Sequence, residues 1–162
     1  MLEGNKGGIN SVSWAPSICP TNNVQNLINV KEDNSSNGNL APIRFVTGGC
    51  DNNINLWTIN NNYNDDISKG KLSKETLGSH DDWVRDVAWL NFPGYTNDII
   101  ASAGEDERVY LWTKNKDKTW EKKLLNEFGT PVWRVSWSQC GSYLAVTAGD
   151  NCTYLYKVDN LI

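Results

Sequence analysis

The feature that most constrains this chain is a segment that occurs three times with the same internal spacing. The first copy opens with Ile9-Asn10-Ser11-Val12-Ser13-Trp14 and closes with Asp51-Asn52-Asn53-Ile54-Asn55-Leu56-Trp57. The second opens with Val84-Arg85-Asp86-Val87-Ala88-Trp89 and closes with Asp106-Glu107-Arg108-Val109-Tyr110-Leu111-Trp112. The third opens with Val132-Trp133-Arg134-Val135-Ser136-Trp137 and closes with Asp150-Asn151-Cys152-Thr153-Tyr154-Leu155-Tyr156. In each copy an Asp stands six positions before an aromatic residue and follows a run of small residues: Thr47-Gly48-Gly49, Ser102-Ala103-Gly104 and Thr147-Ala148-Gly149. Self-similarity on this scale signals stacked supersecondary units, each unable to bury its apolar surface alone.

The units read as short strands. Arg44-Phe45-Val46-Thr47 and Ile99-Ile100-Ala101-Ser102 are rich in β-branched residues and bounded by turn residues. Alternate residues of a strand point to opposite faces. In the closing strands Ile54/Leu56, Val109/Leu111 and Thr153/Leu155 share one face, and Asn55/Trp57, Tyr110/Trp112 and Tyr154/Tyr156 share the other. Bulk on both faces implies sheets covered on both sides, which blades stacked around an axis provide. The expectation is an all-β fold, a partial propeller over residues 1–162, with blades at roughly 9–77, 84–125 and 132–157. Val12 and Val87 lie 75 positions apart, whereas Val87 and Val135 lie 48 apart. The excess matches an Asn- and Ser-rich stretch, 17–43, read as a disordered insert between two strands of the first blade. A second Asn-rich stretch, 60–66, follows the first closing strand.

Composition narrows the functional classes. The net charge is −4 and no Lys/Arg cluster occurs, so a phosphate-neutralising surface and a nucleic-acid partner are not expected. No apolar run is long enough to span a bilayer, and Met1-Leu2-Glu3-Gly4-Asn5-Lys6 does not resemble an export signal. Cys19, Cys50, Cys140 and Cys152 lack paired spacing, which argues for reduced thiols in the cytosol or nucleus and against a disulfide framework or zinc site. The sequons at Asn34 and Asn151 then read as chance. No cofactor is expected.

The run Leu77-Gly78-Ser79-His80-Asp81-Asp82-Trp83-Val84-Arg85-Asp86-Val87-Ala88-Trp89 resembles the WD-repeat subunit of the COPII outer coat, the Sec-thirteen family, which also serves the nuclear pore scaffold. The openings of the first and third repeats, Thr47-Gly48-Gly49-Cys50-Asp51-Asn52 and Ala145-Val146-Thr147-Ala148-Gly149-Asp150-Asn151 resemble it as well. The resemblance implies a six-bladed, incompletely closed propeller into which the large COPII cage subunit donates a blade. This chain looks like the second half of such a protein, its third blade without a clear outer strand. It implies a structural, non-enzymatic role in the coat at endoplasmic reticulum exit sites and on COPII vesicles, and in the nuclear pore, by protein–protein contact without membrane insertion. A different WD adaptor, such as a ubiquitin-ligase substrate receptor or a chromatin reader, is the alternative. Three blades fall short of the four to eight that propellers use, so two copies closing a ring by two-fold symmetry is a further expectation.

Candidate site residues follow. His80 is the only histidine, and no nucleophile or metal constellation accompanies it. A triad-like arrangement is not expected. The resemblance instead assigns His80, Ser102, Asp106 and Trp112 to a buried hydrogen-bonded tetrad. Asp51 and Asp150, placed after Gly or small residues, read as turn residues bonding the backbone. Asp81, Asp82, Trp83 and Arg85 lead into a first strand on the propeller rim, where Trp and Arg make good anchors. The alternative for Trp83 is packing against the adjacent blade. Trp133 aligns with the polar Arg85 and Asn10 and is expected, with Tyr154 and Tyr156, to contact the donated blade. For Tyr156 ordinary inter-blade packing is the stronger alternative.

Overall fold

The computed structural model describes residues 6–16, 42–60, 71–92, 98–114 and 119–157, and every regular element within them is a β-strand. Three antiparallel sheets follow one another along the chain. Sheet 1 runs in the order β1 (Ile9–Trp14), β2 (Ile43–Gly49), β3 (Asn53–Asn60) and β4 (Lys71–Ser79). Sheet 2 contains β5 (Val84–Trp89), β6 (Ile99–Gly104), β7 (Arg108–Lys114) and β8 (Trp120–Glu127). Sheet 3 contains β9 (Val132–Trp137), β10 (Tyr143–Ala148) and β11 (Thr153–Lys157). Each sheet is a meander whose first strand packs beside the first strand of the next, so the sheets are blades of a partial propeller. Ile43, expected to close the insert, is the first residue of β2; residues 17–41 and 61–70 lie outside the described ones.

The Asp of each repeat makes the hairpin between the second and third strands. Its Oδ1 accepts the amide two residues on: Asn53 to Asp51 at 3.2 Å, Arg108 to Asp106 at 3.3 Å, and Cys152 to Asp150 at 2.9 Å. The residue between takes a left-handed conformation, with φ of 66° at Asn52, 68° at Glu107 and 65° at Asn151. Asn tolerates that region well; Glu107 does so at some cost in strain.

Two apolar seams hold the sheets. Val46, Ile54 and Leu56 of sheet 1 meet Val84, Val87, Trp89, Ile100, Tyr110 and Trp112 of sheet 2. Ala101, Ala103, Val109 and Leu111 of sheet 2 meet Val132, Val135, Leu144 and Val146 of sheet 3. The first seam is close-packed: a Cβ built on Gly48 would lie 2.4 Å from Val84 Cγ1 and 2.9 Å from Val87 Cγ1. Arg44 adds an ion pair with Asp98, one bond being 3.0 Å, and lays its guanidinium 5.1 Å from the Trp89 ring centre.

Coverage on both faces, expected for all three sheets, holds only for sheet 2. Trp14 is 62% exposed, while its equivalent Trp89 is 3% exposed. Leu155 is 67% exposed, while its equivalent Leu111 is 1% exposed. The end sheets each have one face without a neighbour among the described residues. The third sheet, with three strands among those residues, also departs from the aligned repeat. The rows Val12–Thr47–Asn55 and Val87–Ser102–Tyr110 correspond to Val135–Val146–Tyr154. Val146, not Thr147, therefore occupies the place of Ser102, because Thr147 stands three residues before its turn Asp and Ser102 four.

The tight fit at Gly48 gives a direct test of the seam. Gly48→Ala is expected to lower stability by about 1–3 kcal/mol through overpacking, read from the urea midpoint at unchanged m-value. A variant as stable as the parent would mean that Val84 and Val87 move aside freely.

Candidate functional site

His80 sits in the short link between β4 and β5, Ser102 on β6, Asp106 at the following turn and Trp112 on β7. The fold brings all four together on the face of sheet 2 that looks at sheet 1. Trp112 Nε1 donates to Ser102 Oγ at 2.8 Å, and Ser102 Oγ lies 2.7 Å from His80 Nε2. His80 Nδ1 lies 2.8 Å from Asp106 Oδ1. Trp only donates, so the serine hydroxyl passes its own proton to Nε2, and Nδ1–H donates to the carboxylate. Asp106 also accepts the Asp81 amide at 3.0 Å. Burial alone would raise the Asp106 carboxyl, but the hydrogen bond from His80 and those from the Asp81 and Arg108 amides outweigh it and hold it below its ordinary 3.8. The ring of Tyr110 meets His80 edge-on at 4.8 Å, and a Cβ on Gly104 would strike Asp106 Oδ1 and His80 Nδ1 at 2.4 Å.

The order Ser–His–Asp is that of a hydrolytic triad, contrary to the expectation that no such geometry would occur. Two features deny it that chemistry. Ser102 is fully buried, so no substrate carbonyl reaches Oγ. Its oxygen also accepts from Trp112, and a closed chain of this kind rigidifies a core. Sheet 1 keeps part of the chain, with Trp57 Nε1 donating to Thr47 Oγ1 at 2.9 Å. Sheet 3 replaces it with apolar groups: Phe128, four residues before Val132 as His80 is before Val84, packs edge-on against Tyr154 at 4.9 Å beside Val146.

The rim candidates divide. Asp81 pairs with Arg108 at the start of β7, and Asp82 Oδ1 accepts the Trp83 amide at 2.7 Å within its own turn; both stay exposed. Trp83 and Trp133 stay 45% and 43% exposed and share one guanidinium, Arg85 lying 5.2 Å and 5.3 Å from the two ring centres. Arg85 Nε is held by Glu105. A cation shared by two rings ties all three side chains together at the rim. Tyr154 does not join Trp133. Its hydroxyl donates to Asp150, which pushes the phenol up to about 12 and the Asp150 carboxyl below its ordinary value. Tyr156 accepts from Asn126 Nδ2 at 3.0 Å, and both tyrosines pack against sheet 2. Strand alternation explains the correction: the residues that look away from sheet 2 are Thr153, Leu155 and Lys157.

Sequence reasoning missed Asp86. Its Oδ1 accepts Ser11 Oγ at 2.6 Å from sheet 1, and its Oδ2 accepts the Val135 amide at 3.0 Å in sheet 3. Only its acidic character, where the other two repeats carry Ser11 and Arg134, marked it. Cys50, Cys140 and Cys152 are free thiols, and no group of three metal-binding side chains occurs among the described residues. Among them, no helix is long and apolar enough to cross a membrane.

Comparison with known proteins agrees with the repeat geometry. The family model for the WD domain, G-beta repeat, matches residues 71–113, and that for the Anaphase-promoting complex subunit 4 WD40 domain matches residues 94–161. Protein transport protein SEC13 of Yarrowia lipolytica is 43% identical over 152 residues, covering 93% of this chain and 46% of the relative. Protein SEC13 homolog of Homo sapiens is 39% identical over 153 residues, covering 93% and 43%. Protein transport protein sec13 of Schizosaccharomyces pombe is 43% identical over 119 residues, covering 72% and 38%. The chain spans under half the length of these relatives.

The tetrad predicts a signed pH dependence. A carboxyl held below its unfolded value stabilises the fold above that value and loses the contribution as pH falls through the folded one. Asp106→Asn is expected to be less stable than the parent at pH 7 by about 1–3 kcal/mol. That gap should narrow as pH drops below 3.8. Thermal melts of both proteins across that range check it, and a gap independent of pH would remove Asp106 from the account.

Proposed function

We propose that this chain, which belongs to the SEC13 family of WD-repeat proteins and spans under half the length of the members it matches, is a structural part of a protein-transport coat. It works by binding other proteins rather than by chemistry. In the finer reading it is a rigid block of the COPII cage at endoplasmic reticulum exit sites and on COPII vesicles, used also in the nuclear pore scaffold. The large cage subunit donates a blade that packs beside sheet 3. Its similarity to the protein transport proteins of Yarrowia lipolytica and Schizosaccharomyces pombe supports the transport role.

One observation carries the interaction part. The outward face of sheet 3 presents Leu155, whose equivalents in sheets 1 and 2 are buried under the next sheet. An exposed face of this kind, with the free edges beside it, is an association surface that proteins keep covered. Adding strands or a blade against it is a known way of joining proteins without chemistry. The blades in this reading are the three repeats, roughly 9–77, 84–125 and 132–157.

A second reading, a WD adaptor of a ubiquitin ligase or of chromatin, draws on the match of residues 94–161 to a subunit of the anaphase-promoting complex. Closure by a second copy of the chain is a third arrangement for the same open faces.

Affinity capture from native lysate, with bound proteins identified by mass spectrometry, separates these readings. The expected outcome is recovery of the large cage subunit with the parent chain and its loss with Leu155→Asp. Recovery of a cullin adaptor or of histones in its place would overturn the coat reading.

A further inference from the structure

The bonds between neighbouring inner strands form a series in which the last member changes chemistry. In β1, Asn10 Nδ2 donates to Val84 O at 2.8 Å. Ser11 Oγ donates to Asp86 Oδ1 at 2.6 Å, and Ser13 Oγ accepts the Trp89 amide at 2.9 Å. In β5 the corresponding positions act on sheet 3: Arg85 stacks on Trp133, Asp86 accepts the Val135 amide, and Ala88 O accepts Trp137 Nε1 at 3.0 Å. The same three positions therefore reach forward twice. In β9 they are Trp133, Arg134 and Ser136, all exposed.

Arg134 is the departure. Ser11 and Asp86 both accept a backbone amide from the next strand, Val87 to Ser11 at 3.3 Å and Val135 to Asp86 at 3.0 Å. A guanidinium has five N–H donors and no acceptor, so it cannot do this. What remains of the pattern is the first link, in which a donor, Ser11, meets a carboxylate, Asp86, at the matching position of the next strand. Arg134 makes no ion pair with any described residue. Its cross-strand row, Arg134–Thr147–Thr153, and the outward row ending at Lys157 hold two cations and no acid.

We infer that the strand seated against β9 carries a carboxylate at the position equivalent to Ser11, Asp86 and Arg134, and that Arg134 selects it. The inference rests on the donated-blade reading above and adds the chemistry by which the blade is chosen. A second copy of this chain is the weaker fit, since it offers the neutral Ser11 there. Ser136 keeps the role of Ser13 and accepts an amide of the same incoming strand.

The parent chain, Arg134→Gln and Arg134→Glu are titrated by calorimetry with the recombinant blade-forming segment of the large cage subunit, at low and high salt. Arg134 is exposed, and circular dichroism melts establish that both variants fold. Arg134→Glu is expected to weaken binding by about tenfold or more. Arg134→Gln should fall between, and the parent should lose more affinity with salt than Arg134→Gln does. Equal binding by all three proteins overturns the inference and leaves the coat reading standing. A parent chain that does not bind the segment overturns the coat reading and the inference together. Sedimentation of the parent as a closed dimer that excludes the segment makes the occupant a second copy and overturns the inference too.

Discussion

The carboxylate of Asp86 is the interaction on which the arrangement of the three sheets depends. It is buried, stands on the inner strand of the middle sheet, and takes one hydrogen bond from each neighbour: the Ser11 hydroxyl on one side and the Val135 amide on the other. Apolar seams are tolerant of small slides, because burial is non-directional. A buried anion is not tolerant, since each lost donor leaves charge uncompensated at a cost of several kcal/mol. Asp86 thereby turns two greasy contacts into one angular relation. Ser13 and Asn10 repeat the device on one side, and Trp137 repeats it on the other.

The tetrad does similar work in the perpendicular direction, tying the link before β5 to the turn after β6 and to the middle of β7. That it occurs in full only in sheet 2 follows from what a buried polar chain demands. Removing one member strands the rest, whereas replacing the whole set with apolar groups of similar shape is nearly neutral. Sheet 3 takes the second course, with Phe128, Val146 and Tyr156 in place of His80, Ser102 and Trp112. The Asp that remains, Asp150, is satisfied by the Tyr154 hydroxyl and the Cys152 amide. The exchange is concerted, which is why the third repeat keeps its turn while its Asp finds a tyrosine hydroxyl in place of a histidine.

Much of this was legible because it is local or periodic. The six-position spacing from Asp to an aromatic residue located three hairpins, and alternation sorted their closing strands into faces. The family resemblance grouped His80, Ser102, Asp106 and Trp112, which the fold brings within hydrogen-bonding distance. What escaped depends on relations between sheets. Thr147 looked like the partner of Ser102 because both begin a small-residue run; only the register shows Val146 there. Tyr154 looked outward-facing beside Trp133, yet strand alternation turns it toward sheet 2 and leaves Leu155 outside. Asp86 and Arg134 sit at equivalent positions of strands far apart in sequence, and nothing in either segment announces that the first bridges two sheets.

The two end faces are unfinished in different ways, and the difference bears on what completes them. The leading face of sheet 1 is aromatic, with Trp14, Phe45 and Trp57 in contact at ring distances of 5.3 Å and 5.9 Å. It also holds a buried amide, Asn55, whose Nδ2 has no hydrogen-bond partner among the described residues although its Oδ1 accepts from Thr76 at 2.8 Å. A buried donor left open costs about 1–3 kcal/mol, and in sheets 2 and 3 the same position is a tyrosine covered by the preceding sheet. The trailing face of sheet 3 differs: among the described residues it presents Arg134 and Lys157 beside small groups, with Leu155 and Tyr143 as exposed large side chains. A face that is aromatic with an unfilled donor asks for an apolar neighbour with an acceptor. A face with Arg134 asks for a neighbour with a carboxylate. The first requirement is not met by the forward face of sheet 1, whose Val46, Ile54 and Leu56 are already packed against sheet 2. The second is met by no inner strand of these repeats except β5, whose acid, Asp86, is already engaged on both oxygens.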